Sequence, residues 1–479
     1  MVAERRGSTG ITQAGSGAAA VVTADPVARN LTVSRKALAW KRQRRRVTMA
    51  RTNLAVFDGD SHVVESPELW TKYLEPEYRT LGRYALWREE GKWGSYLQVN
   101  GKMVRDTMNS NVPRHAIWRP GLSWKQIGQL DPNVRHPITA GSSDPDARLE
   151  DMDAMGVDMA FLYPTWFAEG FHLVENPDVA YALARAYNNW IADFCRAGRG
   201  RLFAAAMLPL QHMDYALEEL RRVREIACFR AAFIRPMFIE GRYFTHPYYD
   251  PLWDELERTR LAAAVHPTGG LWNPEWTSHG PFTEKMKSRL NRFQYIAVSG
   301  GGPFAGGGTG GGTANSISAT PPLGHPIAPI LSHWLDNHMF VSSTLIGFTV
   351  MQRYPRMKVV VAHGKASWME EVLEKMEAST RTIPLLHHYP VRTDTEELWQ
   401  EGNVMLGFDA EERMIQRLPQ NFAAKIIWGS RYPQHDTTSG WDAVDKLARA
   451  NIDDVMLARM LGGNAAEQFG IELRQHVDT

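Results

Sequence analysis

The chain has 479 residues, room for one large α/β barrel with insertions or for two average domains. Its 54 basic and 53 acidic residues nearly cancel, which leaves no whole-chain argument for nucleic acid or an anionic membrane as partner. Two cysteines exclude a disulfide framework and a thiolate metal site, and no apolar run approaches the roughly 18 residues of a membrane span, so a cytoplasmic protein is expected.

Residues 1–53 read as a basic arm rich in Gly, Ala and Ser. Its charge gathers in Lys41-Arg42-Gln43-Arg44-Arg45-Arg46, beside a body that is net acidic. A mobile tail and an electrostatic arm lying on a partner subunit are both open readings. The first strand is expected at 54–58, where an apolar run leads into Asp58, Gly59, Asp60, Ser61 and His62. Asp60 and His62 are two apart, so an extended chain puts both on one face. A carboxylate and an imidazole are both good ligands for a borderline divalent metal.

Residues 63–143 are too many for a plain strand-to-helix loop. Trp70, Tyr73, Trp87, Trp93, Trp118 and Trp124 are scattered through them, which fits a folded aromatic cap over the strand ends. Asp144-Pro145 and Asn176-Pro177 are helix starts, with a capping side chain followed by Pro in the first turn. Strands at 157–163, 201–207, 230–234 and 261–266 alternate with helices, the rhythm of a parallel sheet.

The rhythm stops at 267–330, where three Gly-Gly-Gly triplets predict a loop-like insertion. A phosphate-cradling loop is not expected, because no Gly-Lys-Ser/Thr ending is present. A helix is then predicted around 331–353, followed by strands at 357–362, 403–408 and 425–430. Eight strand–helix units predict a closed (β/α)8 TIM barrel over 54–470, with the cap, the glycine-rich insertion and a short tail at 471–479.

The carboxyl ends of these strands offer Asp58, Asp60 and His62, then Tyr163, Arg235, His266, His363, Asp409 and Arg431. A lone His in an apolar strand is commonly a satisfied core residue. Three at separate strand ends of one barrel favour a metal instead. Arg431 is the exception, since a guanidinium has no lone pair to give and would attract a substrate carboxylate. His435 and Asp436 just beyond are candidate replacements, or members of a turn.

These residues resemble the amidohydrolase-related family that contains aminocarboxymuconate semialdehyde decarboxylase and its aromatic-acid decarboxylase relatives. The matching stretches are Val56 to Glu65, Val265-His266-Pro267, Arg353 to Gly364 and Trp428-Gly-Ser-Arg431-Tyr-Pro433. The resemblance implies a metal-dependent barrel of hydrolase type. Carried onto this chain, it implies Asp60, His62 and His266 as ligands, with His363 catalytic or an additional ligand. The family usually has Asp where Arg431 stands, so Arg431 and Asp436 join His363 as the catalytic candidates.

The resemblance further implies one divalent ion, zinc first, with iron and manganese as alternatives. The expected activity is hydrolysis or non-oxidative decarboxylation of a small carboxylate substrate. The alternative is a subunit of a heteromeric non-heme metal-dependent monooxygenase, like the two-component aminoisobutyrate hydroxylase. The chain is then expected as a homo-oligomer, or as a hetero-oligomer with an amidohydrolase-like paralogue.

Overall fold

Strand β1 (Phe57–His62) is buried along its whole length. It starts three residues later than the apolar run predicts, so Asp58, Asp60 and His62 lie within the strand. A computed structural model describes residues 54–91, 94–105, 112–113, 115–131, 133–267, 336–347, 349–382 and 394–474. The basic arm, the glycine-rich insertion after Pro267 and the last residues of the tail lie outside these.

After β1 the chain forms a small antiparallel sheet of β2 (Leu86–Gly91), β3 (Gly94–Val99) and β4 (Lys102–Arg105). It then returns to the main sheet with β5 (Met159–Tyr163), β6 (Leu202–Ala206), β7 (Phe229–Ile234), β8 (Ala262–Val265), β9 (Val359–Val361), β10 (Val404–Phe408) and β11 (Ile426–Trp428). The eight strands run parallel in the order β1–β5–β6–β7–β8–β9–β10–β11. Strands β5 to β11 are nearly continuous apolar runs, as strands covered on both faces require, whereas β1 carries Asp58, Asp60 and His62.

The sheet closes just beyond β11. Arg431 N–H donates to Asp60 O, and His62 N–H donates to Tyr432 O, both at 2.7 Å. Glycines allow this approach. A Cβ on Gly429 would lie 2.3 Å from Asp60 Cβ, and one on Gly59 would lie 2.3 Å from Ile427 Cγ2. The result is the eight-stranded (β/α)8 barrel that the alternation predicts.

The helices between strands follow their caps. In α1 (Pro145–Met155) the Asp144 carboxylate accepts from Ala147 N–H, and Gly156 ends the helix at φ 74°. In α2 (Pro177–Ala197) the Asn176 side chain accepts from Asp178 and Val179 N–H. The helix predicted around 331–353 is interrupted: a π-type turn at Phe340–Gly347 and a short helix at Val350–Arg353 flank Thr349, which has φ 58°.

The barrel interior is layered. Phe161 stacks on Phe469 with centroids 4.1 Å apart, and Phe57 lies 5.9 Å from Phe469 and 6.4 Å from Phe203. Phe469 ends helix α3 (Asn464–Phe469), which plugs the amino-terminal mouth. Its Asn464 side chain donates to Ala423 and Ile426 O, and its Gln468 side chain to Val359 and Asn403 O. Tyr163 lies above Phe161 at 5.2 Å and leads to the opposite mouth.

The cap segment crosses that opposite mouth. Trp70 stacks on Trp166, just after β5, at 5.1 Å, and its indole N–H donates to Leu86 O. At the other side Trp118 N–H donates to Pro433 O, just after β11. No helix among the described residues is long and apolar enough to cross a membrane.

Candidate metal centre

Three strands bring the candidate ligands to one point. Asp60 and His62 come from β1, His266 follows β8, and His363 follows β9. One ligand atom from each lies within 4.8 Å of those of the others. The His62 and His266 Nε2 atoms are both 3.3 Å from Asp60 Oδ1, and His363 Nδ1 is 3.4 Å from Asp60 Oδ2. Asp60, His62 and His266 are buried, while His363 is partly exposed towards the mouth.

Hydrogen bonds on the far side of two rings set their tautomers. His62 Nδ1 is 3.2 Å from Pro164 O, and His266 Nδ1 is 2.6 Å from Pro267 O. A carbonyl only accepts, so each Nδ1 carries the proton and each Nε2 keeps its lone pair. Burial holds both imidazoles below their ordinary pKa. Burial opposes the charge of Asp60 too, but the surrounding imidazoles hold that carboxylate well below the usual range, so it stays ionised.

Two imidazole lone pairs therefore face a carboxylate oxygen with no proton to share. The His62 Nε2 atom is buried and has no hydrogen-bond partner among the described residues. Acceptors converging in this way repel one another unless a cation lies among them. Three nitrogens and a carboxylate form a donor set for a borderline divalent metal, and the cluster fits such an ion.

Asp58 does not orient a ligand histidine, a role its place beside them invites. Its carboxylate accepts from Ser430 N–H at 2.7 Å, from Ser430 Oγ–H at 2.5 Å and from Asp60 N–H at 3.2 Å. Asp58 thus ties β1 to the turn after β11. The ring partners of His62 and His266 are backbone carbonyls instead.

Arg431 turns to acids. Its Nη1 donates to Asp409 Oδ1 at 2.5 Å, and its Nε lies 3.0 Å from Asp436 Oδ2. Burial works against this charge, but Asp436, Asp409 and Asp60 outweigh it and raise the guanidinium pKa above its ordinary value. Asp436 is committed to this pair. Neither it nor His435 is part of the metal-capable set found among the described residues. His363 and Arg431 both have positive φ, 61° and 62°.

The sequence reading missed Arg148. It is fully buried; its Nε donates to Gly141 O at 2.7 Å, its Nη1 to Ser61 Oγ at 3.0 Å, and its Nη2 to His62 O. Arg148 therefore holds the end of β1 that carries His62. The available signal was its place four and seven residues before Met152 and Met155, on the apolar stripe of α1.

Comparison with known proteins agrees with this geometry. The profile of the amidohydrolase family matches residues 134–471. The gamma-resorcylate decarboxylase of Rhizobium sp. strain MTP-10005 is 32% identical over 157 residues, covering 32% of this chain and 44% of that protein. The chain spans less than half the length of the curated relatives it matches.

Among solved structures, an amidohydrolase of Mycobacterium avium subsp. paratuberculosis K-10 has a TM-score of 0.62 at 18% identity, covering 88% of this chain and 99% of the other. The 5-carboxyvanillate decarboxylase of Novosphingobium aromaticivorans, complexed with manganese and 4-hydroxy-3-methoxy-5-nitrobenzoic acid, has a TM-score of 0.53 at 16% identity, covering 88% and 97%. These two likenesses show the fold. With the family profile matched across most of the barrel, and a metal-capable cluster at the barrel's carboxyl-terminal mouth, the chain belongs to the amidohydrolase family.

Proposed function

We propose that the protein is a divalent-metal-dependent enzyme acting on a small carboxylate substrate, and that non-oxidative decarboxylation of an aromatic acid is the reaction it fits best. The observation that supports this is the pair of imidazole lone pairs facing the Asp60 carboxylate. Asp60, His62 and His266 would hold the ion, with His363 close enough to join them. Three protein ligands leave positions open for substrate. Manganese is bound in the 5-carboxyvanillate decarboxylase relative, and the donor set here suits manganese, zinc or iron. The ion, when bound, supplies positive charge that polarises a substrate oxygen.

The remaining work falls to side chains. In decarboxylation the bond between the ring carbon and the carboxylate carbon breaks. Its electron pair stays on the ring carbon, carbon dioxide leaves, and a proton is delivered to that carbon. His363, partly exposed beside the cluster, is the proposed proton carrier. Arg431, paired with Asp409 and Asp436, would take a substrate carboxylate only in exchange for one of these acids, with Asp436 as its positioning residue. Hydrolysis fits less well, because a base must take a proton from water and position 431 holds Arg where the family has a carboxylate.

A second reading rests on Asp60, His62 and His266 alone. Two histidines and one carboxylate also make the facial triad of non-heme iron oxygenases. On that reading the chain is one component of a hydroxylase, paired with an amidohydrolase-like paralogue.

The test is metal analysis and turnover of protein expressed with added manganese or zinc. Stoichiometric metal and carbon dioxide release from γ-resorcylate or 5-carboxyvanillate are expected. Oxygen consumption that requires a second chain would favour the hydroxylase. His266→Ala should lose stoichiometric metal while remaining folded. Arg431→Asp would set a fourth carboxylate beside Asp60, Asp409 and Asp436, so it should bind metal about tenfold tighter or better. A wild type that stays metal-free after supplementation defeats both readings.

A further inference from the structure

Two cysteines are too few for a disulfide framework, but the only two in these 479 residues lie together. Cys195 sits in the last turn of α2 and is 3% exposed. Its carbonyl accepts from Gly198 N–H at 3.0 Å, where the chain turns towards β6. A Cβ on Gly198 would lie 2.5 Å from Leu202 Cγ, so the end of α2 is pressed against the start of β6. Cys228 stands immediately before β7 and is partly exposed. Its carbonyl accepts from Ala204 N–H on β6 at 3.0 Å. The two cysteines therefore meet at the first residues of β6, one from the helix and one from the neighbouring strand.

Their thiols are near enough for one to donate to the other. The two environments differ. Burial, and then the neighbouring Cys228 sulfur, push the Cys195 thiol well above its ordinary pKa. The Cys195 S–H, acting as donor, holds Cys228 below its ordinary value against the burial that opposes it. Arg196 and Arg230 add positive charge on the same side of the balance. Arg196 also pairs with Asp193 at 2.5 Å, and Arg230 stands over the Phe203 ring at 5.7 Å. A partly exposed sulfur with cations and a donor beside it has the surroundings of a reactive thiolate, while a buried neutral thiol is inert until a partner reaches it.

We propose that Cys195 and Cys228 form an oxidation site, at which hydrogen peroxide converts the pair to a disulfide that staples the end of α2 to the entry of β7. The Cys228 thiolate attacks one peroxide oxygen, the O–O bond breaks, and the departing hydroxide takes a proton to become water. Cys228 is then a sulfenic acid. The Cys195 sulfur attacks the Cys228 sulfur, the S–O bond breaks, and the hydroxide leaves with the Cys195 proton as a second water. The two sulfurs give up two electrons and the peroxide gains them. A dithiol reductant reverses the step. Cys228 enters β7 at its amino end, whereas the metal-capable cluster stands at the carboxyl ends of the strands. The site uses none of the candidate ligands, so it stands or falls independently of the metal-centre reading.

The test is exposure of the full-length protein to a small molar excess of hydrogen peroxide at pH 7, followed by thiol counting and peptide mapping by mass spectrometry. Wild type should lose both thiols together and yield a Cys195–Cys228 linked peptide lighter by two hydrogens than the separate pair, and dithiothreitol should restore both thiols. In Cys195→Ala, Cys228 has no resolving partner and should stop at the sulfenic acid, which dimedone traps. In Cys228→Ser, Cys195 should keep its thiol at the same dose. Retention of both thiols by wild type, or a disulfide that joins two chains instead of the two residues of one, overturns the site. Loss of the Cys195 thiol in Cys228→Ser as fast as in wild type overturns Cys228 as the attacking sulfur. The wild-type measurement needs no substitution, so it decides the proposal even if a variant fails to fold.

Discussion

A buried carboxyl that lacks a full set of partners resists ionisation, and Glu65 is such a group. It is 4% exposed, its Oε1 accepts from Thr165 N–H at 2.8 Å, and its Oε2 has no partner among the described residues. Burial pushes its pKa from the ordinary 4.5 up to about 7, against the opposing pull of nearby backbone N–H groups and Arg88. The folded value is the higher one. Below the ordinary value both states hold the proton and Glu65 is neutral towards stability. As pH rises from there towards 7, the unfolded chain releases its proton while the folded one keeps it, so stability falls. Above 7 both are ionised and the loss levels off at about 3 kcal/mol. Glu65→Gln should therefore be more stable than wild type at pH 8 by about 2–3 kcal/mol, with no difference of this origin below pH 4.5. Urea denaturation of both proteins across pH 4–8 checks this, and parallel curves would refute it. At this scale the sequence was partly legible. Asp60, His62, His266 and His363 announce themselves as polar residues at the ends of apolar runs. Arg148 does not, because a helix stripe hides what a side chain will meet across the fold.

At the scale of elements, the seam between β1 and β11 decides whether the site forms. The close approach depends on Gly59 and Gly429, whose added Cβ atoms would each come within 2.3 Å of the facing strand. Gly429→Ala should push Asp60 away from the three histidines. The expected loss is about 1–3 kcal/mol of stability, together with at least a tenfold weaker metal affinity. Thermal melting and metal titration of that variant check it, and an unchanged affinity would show that the seam is not what sets the ligand geometry. The parallel strands were legible because burial on both faces demands apolar runs. The cap's antiparallel sheet was not, since Leu86–Val99 mixes charges, glycines and aromatics without a clean period. The interruption at Thr349 was equally hidden, because a left-handed residue between two helical turns leaves an apolar pattern intact.

At the scale of the whole molecule, the run Lys41 to Arg46 beside a net acidic body motivates the prediction that residues 1–50 act in assembly. Deleting them should weaken an oligomer, most visibly as salt rises and screens the basic run. Light scattering at two ionic strengths reads this, and an unchanged mass at both would reject the role. The seam has a consequence for biosynthesis. The Ser430–Asp58 hydrogen bonds join residues 372 positions apart. A nascent chain thus emerges with Asp60 and His62 among its earlier residues, yet it acquires their closing partners only when β11 leaves the ribosome. At about 5–20 residues per second, that interval is on the order of 20–75 s. The candidate ligands Asp60 and His62 spend it without their final geometry, so the choice of ion would belong to the completed barrel, not to whichever ion meets the growing chain first.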